Sequence, residues 1–244
     1  KAFYNFIIES YSNPNDYNPE VIKSMPLEDG VNFYKFRNEK VNTILNMEYP
    51  EGNYTQKEKD FWLSKNKDIK EPYLNGYYQG WESFLLARDL LIFTIMAVCI
   101  SIASVFSGEY QSGADSVVLT SKYGKTKVIT AKIISSFLFG TIIFVINTIV
   151  SIGILLLSFG IDGWNLPLQL TTSSIPYPYT FLQAILLSVL IIYMILILLI
   201  SFTLLLSSYM KSPFPVLITN IILLFVPIFL KYSETNKLYN QILN

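Results

Sequence analysis

Residues able to carry out acid–base, nucleophilic or metal chemistry are scarce in this chain of 244 residues. It contains no histidine, and Cys99 is its single cysteine. The lack of histidine excludes Ser-His catalysis and the usual zinc ligand, and a lone cysteine excludes an intrachain disulfide or a CxxC metal site. We therefore expect neither a catalytic nor a metal site in this chain.

Two asparagines, Asn147 and Asn220, are the most polar side chains within long apolar runs that carry no acidic residue. An intramembrane protease would need paired acids, a Ser/Lys pair or metal-binding histidines in such runs. Asparagines in membrane helices commonly hydrogen-bond to a neighbouring helix, which contributes about 1 kcal/mol each. The alternative is contact with a transported substrate, and on that interpretation both residues are candidates for a substrate path.

Arg88 and Asp89 are adjacent charges at the start of the first apolar run, shortly after Trp81. Charged and aromatic side chains at such a position anchor a helix at the membrane–water interface. The pair could also form a functional site at the mouth of a helix bundle. The sequence favours anchoring and leaves the second interpretation open.

A polar stretch from Gly108 to Lys132 separates the first two apolar runs, and we call it the inter-span segment. It carries an excess of lysines, which favours the cytoplasmic side of a membrane. Its central residues, 113–119, can form a short amphipathic helix along the membrane surface, with Asp115 near the positive end of the helix dipole. The charged residues of the segment are Lys122, Lys125, Lys127 and Lys132, against Glu109 and Asp115.

The elements that position these residues are long apolar helices. An uncharged run of about 17 to 25 residues is the length that crosses a bilayer. Four such runs predict an all-α polytopic membrane protein with a helix bundle over residues 80–231. The predicted spans are Gly80–Phe106, Ile133–Phe159, Phe181–Leu206 and Phe214–Leu230. In the first of them the uncharged run is its core, Leu90–Phe106.

The charge distribution also predicts on which side of the membrane the polar segments lie. Lys211, in the turn before the fourth span, places that turn inside with the inter-span segment. Gly160–Tyr179 lacks Lys and Arg, which fits an outer loop. Residues 1–79 are then an extracellular domain and residues 232–244 an extracellular tail. The net charge is zero and no basic stripe is present, so we expect no nucleic-acid partner.

Residues 1–79 are polar and rich in aromatic side chains, and we predict that the domain is small and mainly helical. Val31–Met47 has apolar residues at helical spacing. Thr55 and Glu58 match a capping box, which predicts a second helix over Gln56–Lys67.

The inter-span segment resembles a known family. Glu109, Gly113, the Val118-Leu119 pair and the basic turn Ser121–Lys125 are similar to the segment between the second and third helices of type-2 ABC transporter permeases. The phrase EYQSGAD…LTSKYGK is especially similar to peptide- or antibiotic-exporter permeases of low-GC Gram-positive bacteria. The resemblance implies a bacterial plasma-membrane protein with six spans, so we expect one further span before Lys1 and another after Asn244.

The resemblance also implies partners. A separate ABC ATPase would bind ATP and Mg²⁺ and dock on residues 108–127 of the inter-span segment. A second permease copy, identical or different, would complete the path. The chain itself would bind no cofactor and would carry a peptide, antibiotic or lipid-like substrate outward. The residues implied in coupling are Glu109, Gly113, Asp115, Val118, Leu119, Tyr123 and Lys125.

A different class of function is also open. The chain could be a membrane receptor or immunity protein that transports nothing and captures a peptide through residues 1–78. The presence or absence of an ATPase in the purified membrane complex would discriminate between these two hypotheses.

Overall fold

A computed structural model describes residues 5–12, 20, 32–48 and 52–231 of the chain, and the predicted tail over residues 232–244 lies outside them. Within this part the regular structure is helical, with a single isolated β-bridge between Pro167 and Thr180. The α-helices are α1 (Asn5–Tyr11), α2 (Phe33–Asn46), α3 (Gln56–Lys67), α4 (Gln79–Ala87), α5 (Leu91–Ile102), α6 (Ser104–Ser112), α7 (Asp115–Thr120), α8 (Ile129–Phe159), α9 (Phe181–Tyr209) and α10 (Pro213–Lys231).

Three helical stretches are long and apolar enough to cross a membrane. They are Gln79–Ser112, Gly124–Phe159 and Phe181–Tyr209, with 34, 36 and 29 residues. At about 1.5 Å per residue, each exceeds the roughly 30 Å of a bilayer's hydrocarbon core. The all-α polytopic membrane fold is therefore confirmed.

The fourth predicted span, Phe214–Leu230, is also a helix, since α10 covers Pro213–Lys231. On α8, Ile149 and Leu157 expose 64% and 87% of their surface. Large apolar side chains at such exposure are unfavourable in water and favourable in lipid.

The first span differs from the uninterrupted helix that hydropathy predicts. A 3₁₀ turn over Arg88–Leu90 separates α4 from α5, and a second irregularity at Ala103 separates α5 from α6. The helix also continues past Phe106 to Ser112. Hydropathy detects where apolar side chains end, whereas backbone hydrogen bonding continues into the polar stretch until Gly113.

A serine from another helix satisfies the backbone at the irregularity beside Ala103. The Ser207 hydroxyl, on α9, donates to the Ala103 carbonyl at 2.7 Å and accepts from the N–H groups of Phe106 and Ser107 at 3.1 and 3.0 Å. Ser207 and Ser107 are both fully buried. Because no water is available inside a bilayer, such freed groups must find a partner within the protein.

The described residues form two compact units. Unit 1 combines Lys1–Ser83 with Leu156–Leu186, and unit 2 combines Phe84–Leu155 with Leu187–Asn244. The N-terminal polar residues thus share a unit with the connection between α8 and α9, which hydropathy does not indicate.

In unit 1, both predicted helices are present. The helix predicted over Val31–Met47 is α2, and Val31 lies outside the described residues. The helix predicted over Gln56–Lys67 is α3, with the same bounds. Its capping box is also confirmed, because the Thr55 N–H donates to the Glu58 carboxylate at 2.7 Å and the Glu58 N–H donates back to the Thr55 hydroxyl.

Arg37, on α2, is the largest fully buried side chain of unit 1. Its Nε donates to the Ser173 carbonyl at 2.8 Å and its Nη2 to the Ile175 carbonyl at 2.9 Å. Its Nη1 donates to the side-chain oxygens of Asn38 and Asn66. The guanidinium therefore joins α2 to an irregular segment more than 130 positions away.

Burial lowers the pKa of Arg37 from its ordinary value, while nearby Tyr73 and Glu71 act in the opposite direction. Glu9 supports the same irregular segment. Its carboxylate accepts from the Ser173 N–H at 2.8 Å and from the Ser174 hydroxyl at 2.9 Å. Unit 1 is thus held together by polar side chains that satisfy backbone groups of residues 173–175.

Replacement of Arg37 should destabilise unit 1. Arg37→Met removes the donors to two carbonyls and should cost about 3 kcal/mol of unfolding free energy, because unsatisfied buried groups cost roughly 1–3 kcal/mol each. All three tryptophans (Trp62, Trp81 and Trp164) lie in unit 1, so their fluorescence reports its unfolding. Lys35→Gln, on the exposed face of α2, is the matched control and should leave the transition unchanged. Equal midpoints of the unfolding transition in the two variants would contradict this role of Arg37.

Candidate functional site

Within the inter-span segment, the chain changes direction sharply at Gly113, directly after α6. This residue has φ of 73°, in the left-handed region that favours glycine. The Ala114 N–H donates to the Glu109 carbonyl at 3.0 Å and the Gly113 N–H to the Tyr110 carbonyl at 3.3 Å. This pair of hydrogen bonds is the Schellman motif, which ends α6 and lets α7 start two residues later.

The turn after α7 depends on Gly124, which is buried. A side-chain Cβ built at this position would lie 1.7 Å from the Val118 carbonyl oxygen and 2.7 Å from the Ser121 hydroxyl. Ser121 closes the same turn, because its N–H and its hydroxyl both donate to the Val118 carbonyl, at 3.2 and 2.7 Å. The close backbone approach at Gly124 therefore fixes how the end of α7 packs against the residues that lead into α8.

An ion pair between Glu109 and Lys132 joins the two ends of the segment. The Lys132 ammonium also donates to the Val105 carbonyl at 2.9 Å and lies 5.1 Å from the centre of the Phe106 ring. Both charged side chains are less than one-third exposed, so water screens the pair only partly. Glu109, which the family resemblance implies in coupling, thus links α6 to α8.

The solvent-facing side of the segment carries apolar groups among lysines. Val117, Leu119 and Tyr123 expose 72%, 37% and 47% of their surface, whereas Val118 is half-buried. The Lys127 ammonium lies 4.6 Å from the centre of the Tyr123 ring. We call Val117, Leu119 and Tyr123 the exposed apolar patch.

The sequence reasoning missed Val117, the most exposed apolar side chain of α7. The sequence predicts the Val118-Leu119 pair as the apolar face of this helix, and the same pair carries part of the family resemblance. The orientation of this six-residue helix is set by the approach of Gly124 to the Val118 carbonyl. Gly124, in the turn after α7, is the feature of the sequence that indicates this orientation. Asp115 begins α7 as expected, and Gly113 and Lys125 are exposed.

The two asparagines have different surroundings. Asn220, on α10, is buried and accepts a hydrogen bond from the Thr203 hydroxyl of α9 at 3.2 Å, which is the interhelical bond expected of such a residue. Asn147, on α8, is exposed. It lines a cavity of about 250 Å³ with Phe84, Ala87, Leu90, Leu91, Ser151, Ile154 and Leu155, and Asn220 is not part of that lining. Of the two candidates for a substrate path, Asn147 thus lines this cavity and Asn220 bonds to a neighbouring helix.

Within the described part of the chain, no group of three or more His, Cys, Asp or Glu side chains is placed so that it could hold a metal ion. The candidate site that the geometry defines in unit 2 consists of the inter-span segment and the cavity at Asn147.

The family described as "ABC-2 family transporter protein" matches residues 9–243, which is nearly the whole chain. A search of curated proteins and a search of solved structures found no match.

Substitution of Gly124 should loosen the inter-span segment. Gly124→Ala forces a Cβ against the Val118 carbonyl, so the turn must open, and trypsin should cleave at Lys122, Lys125 and Lys127 several-fold faster because local opening controls proteolysis. Gly153→Ala, in α8, meets nothing within 4 Å and is the matched control. Identical cleavage rates in the two variants would show that the turn does not depend on this glycine.

Proposed function

The chain belongs to the ABC-2 family of transporter proteins, and on that basis we propose that it is the permease subunit of an ABC exporter. The family is a membrane transport component rather than a catalytic subunit, and membership implies partnership with an ABC ATPase. The three long apolar helices agree with this assignment. A bacterial plasma membrane, with the inter-span segment in the cytoplasm, is the location that the sequence resemblance and the lysine excess support.

The observation that carries the proposal is the exposed apolar patch. Val117 and Leu119 lie on a short helix between two spans, and the tight turn at Gly124 holds that helix in place. A helix with a few apolar anchors is suited to insertion into a groove of a soluble partner. The ATPase subunit, which would bind ATP and Mg²⁺, would bury these side chains.

The remaining residues of the segment would transmit movement. The Glu109–Lys132 ion pair joins α6 to α8, so a displacement of α7 would act on both spans together. The exposed lysines Lys122, Lys125 and Lys127 would orient the partner rather than supply most of the affinity, because exposed charges are screened by water and salt.

Substrate would pass between two permease copies, identical or different. The cavity at Asn147 supports a place for α8 on that path, because it combines apolar walls with an amide and the Ser151 hydroxyl, 3.5 Å from the Asn147 side-chain oxygen. Peptides, antibiotics and lipid-like molecules all offer apolar surface with a few polar groups, which matches such a lining.

A second candidate function, capture of a peptide by unit 1, is favoured by one observation. A cavity of about 190 Å³ in that unit is lined by Val41, Ile44, Leu45, Tyr54, Trp62, Ser174, Pro176 and Tyr177. The Trp62 and Tyr177 rings meet edge to face with centroids 5.0 Å apart. A cavity of this size with a rigid aromatic wall suits one apolar side chain of a peptide. A receptor would use this cavity without an ATPase.

A charge in the exposed apolar patch should weaken ATPase association strongly. Burial of a Val or Leu side chain contributes about 1.5–3 kcal/mol, so Val117→Asp or Leu119→Asp should weaken copurification of the ATPase and transport tenfold or more. Ser116→Asp adds the same charge to the same helix and should have little effect, as should Lys127→Gln. Full association in both patch variants, with normal insertion and folding, would exclude this segment as the coupling element.

The proposed orientation can be checked by thiol labelling in intact cells. In a Cys99→Ser background, a cysteine at position 57 should react with a membrane-impermeant reagent and a cysteine at position 125 should not, because the lysine-rich segment stays inside. Both positions are exposed in the structure, so burial does not interfere. The reverse labelling pattern would overturn the orientation and the docking site with it.

A further inference from the structure

A cavity of about 480 Å³ lies in unit 2 between α5, α9 and α10. Its walls are apolar, with Arg88 and Asp89 as the charged members of its lining. The apolar lining consists of Ile92, Ile95, Ile192, Ile195, Leu198, Leu199, Leu223 and Leu224. Its size falls within the roughly 300–1,000 Å³ typical of small-molecule sites, which also combine apolar walls with a few polar groups.

The polar groups lie at one end of this cavity. The Arg88 guanidinium donates from Nη1 to the Ser188 hydroxyl at 3.2 Å. Ser188 lies one helical turn before Ile192 on the same face of α9. The apolar wall continues along that helix to Leu199, which lies about 16 Å from Ser188 at roughly 1.5 Å per residue. The site thus has a charged end and an elongated apolar body.

Arg88 has little compensation for its charge within the protein. Its Nε lies 3.6 Å from a carboxylate oxygen of Asp89, but the Asp89 side chain is 89% exposed, so water screens that attraction. Arg88 lies within the first membrane-spanning stretch, Gln79–Ser112. A guanidinium at the water-accessible end of such a stretch favours an anionic partner that can accept its parallel N–H donors.

The charges also limit the kind of anion. A carboxylate carries one negative charge, which matches a single guanidinium. A phosphate monoester carries about two at neutral pH and would meet the neighbouring Asp89. The described lining offers no second cation for it. The balance therefore favours a monoanionic head.

We propose that this cavity binds a single-chain amphiphile with a carboxylate head, such as a long-chain fatty acid or an acyl compound that ends in a carboxylate. The head contacts Arg88 and Ser188, and the chain lies along Ile192, Ile195 and Leu199. The assignment of this amphiphile as cargo rests on the proposed exporter function. Its binding to the cavity depends on unit 2 alone.

The binding can be measured with a tryptophan placed at the cavity. The three native tryptophans lie in unit 1, and Leu198, an exposed member of the lining, can accept a larger ring. In the full-length Leu198→Trp protein, dibromostearate should quench the added fluorescence with saturation. Unlabelled stearate should displace the bound dibromostearate. Stearyl alcohol, the neutral molecule with the same chain, should not do so at tenfold higher concentration.

The charge is tested by substitution. Arg88→Gln should weaken dibromostearate binding about tenfold or more, since a charge-assisted hydrogen bond is lost, and Arg88→Lys should retain part of the affinity. Lys211→Gln removes one positive charge from the exposed turn between α9 and α10 and should leave the affinity unchanged. A monodisperse elution profile shows that each variant is folded.

Several results would overturn the proposal. They are quenching without saturation, equal displacement by stearyl alcohol, tighter binding of a single-chain phosphate or of a two-chain phospholipid, and an unchanged affinity in Arg88→Gln. Absence of quenching in the full-length protein, as expected if another segment covers the cavity, would overturn it as well. Copurification of the ATPase is measured separately, so failure of this site and failure of the exporter proposal give different results.

Discussion

Backbone N–H and C=O groups inside a bilayer must be satisfied by the protein itself, because lipid offers them no hydrogen bonds. Long helices meet this requirement along most of each span, and a side chain meets it where a helix is interrupted. At Ala103 the backbone departs from a continuous helix, and the buried Ser207 hydroxyl binds three backbone groups there. The polar residues of the spans are thus partly structural, as Asn220 and Thr203 also show.

Unit 1 applies the same rule to an irregular segment. Residues 168–180 contain little regular structure, so their buried carbonyls need donors from side chains. Arg37 supplies two, and the buried Gln169 amide supplies two more, to the carbonyls of Ile175 and Tyr177. A polar side chain from α2 thereby determines the conformation of a segment that hydropathy identifies only as the connection between two spans.

The inter-span segment combines rigidity with exposure, and both are needed for the proposed coupling. Its rigidity comes from the Gly113 and Gly124 turns and from the Glu109–Lys132 ion pair. Its exposed apolar patch is small, so the proposed partner would have to supply most of the apolar surface that the interface buries. The cavity at Arg88 lies elsewhere in unit 2 and has a different character, a charged end and a long apolar wall. The proposed docking surface and the proposed ligand site thus use different residues.

Local pattern along the chain is enough to predict several features of this protein. Hydropathy predicted the all-α membrane fold and three of its long spans, spacing and a capping box predicted α2 and α3, and the residues of the inter-span segment indicated the family. The side of the membrane, the docking role of that segment and the substrate remain predictions. Tertiary packing alone placed Arg37 against residues 173–175, exposed Val117 more than Val118, and formed an apolar cavity beside Arg88. The cause of this division is separation along the chain. These arrangements join residues of different elements, up to about 140 positions apart, and no short-range periodicity of apolar or charged residues records which distant elements meet.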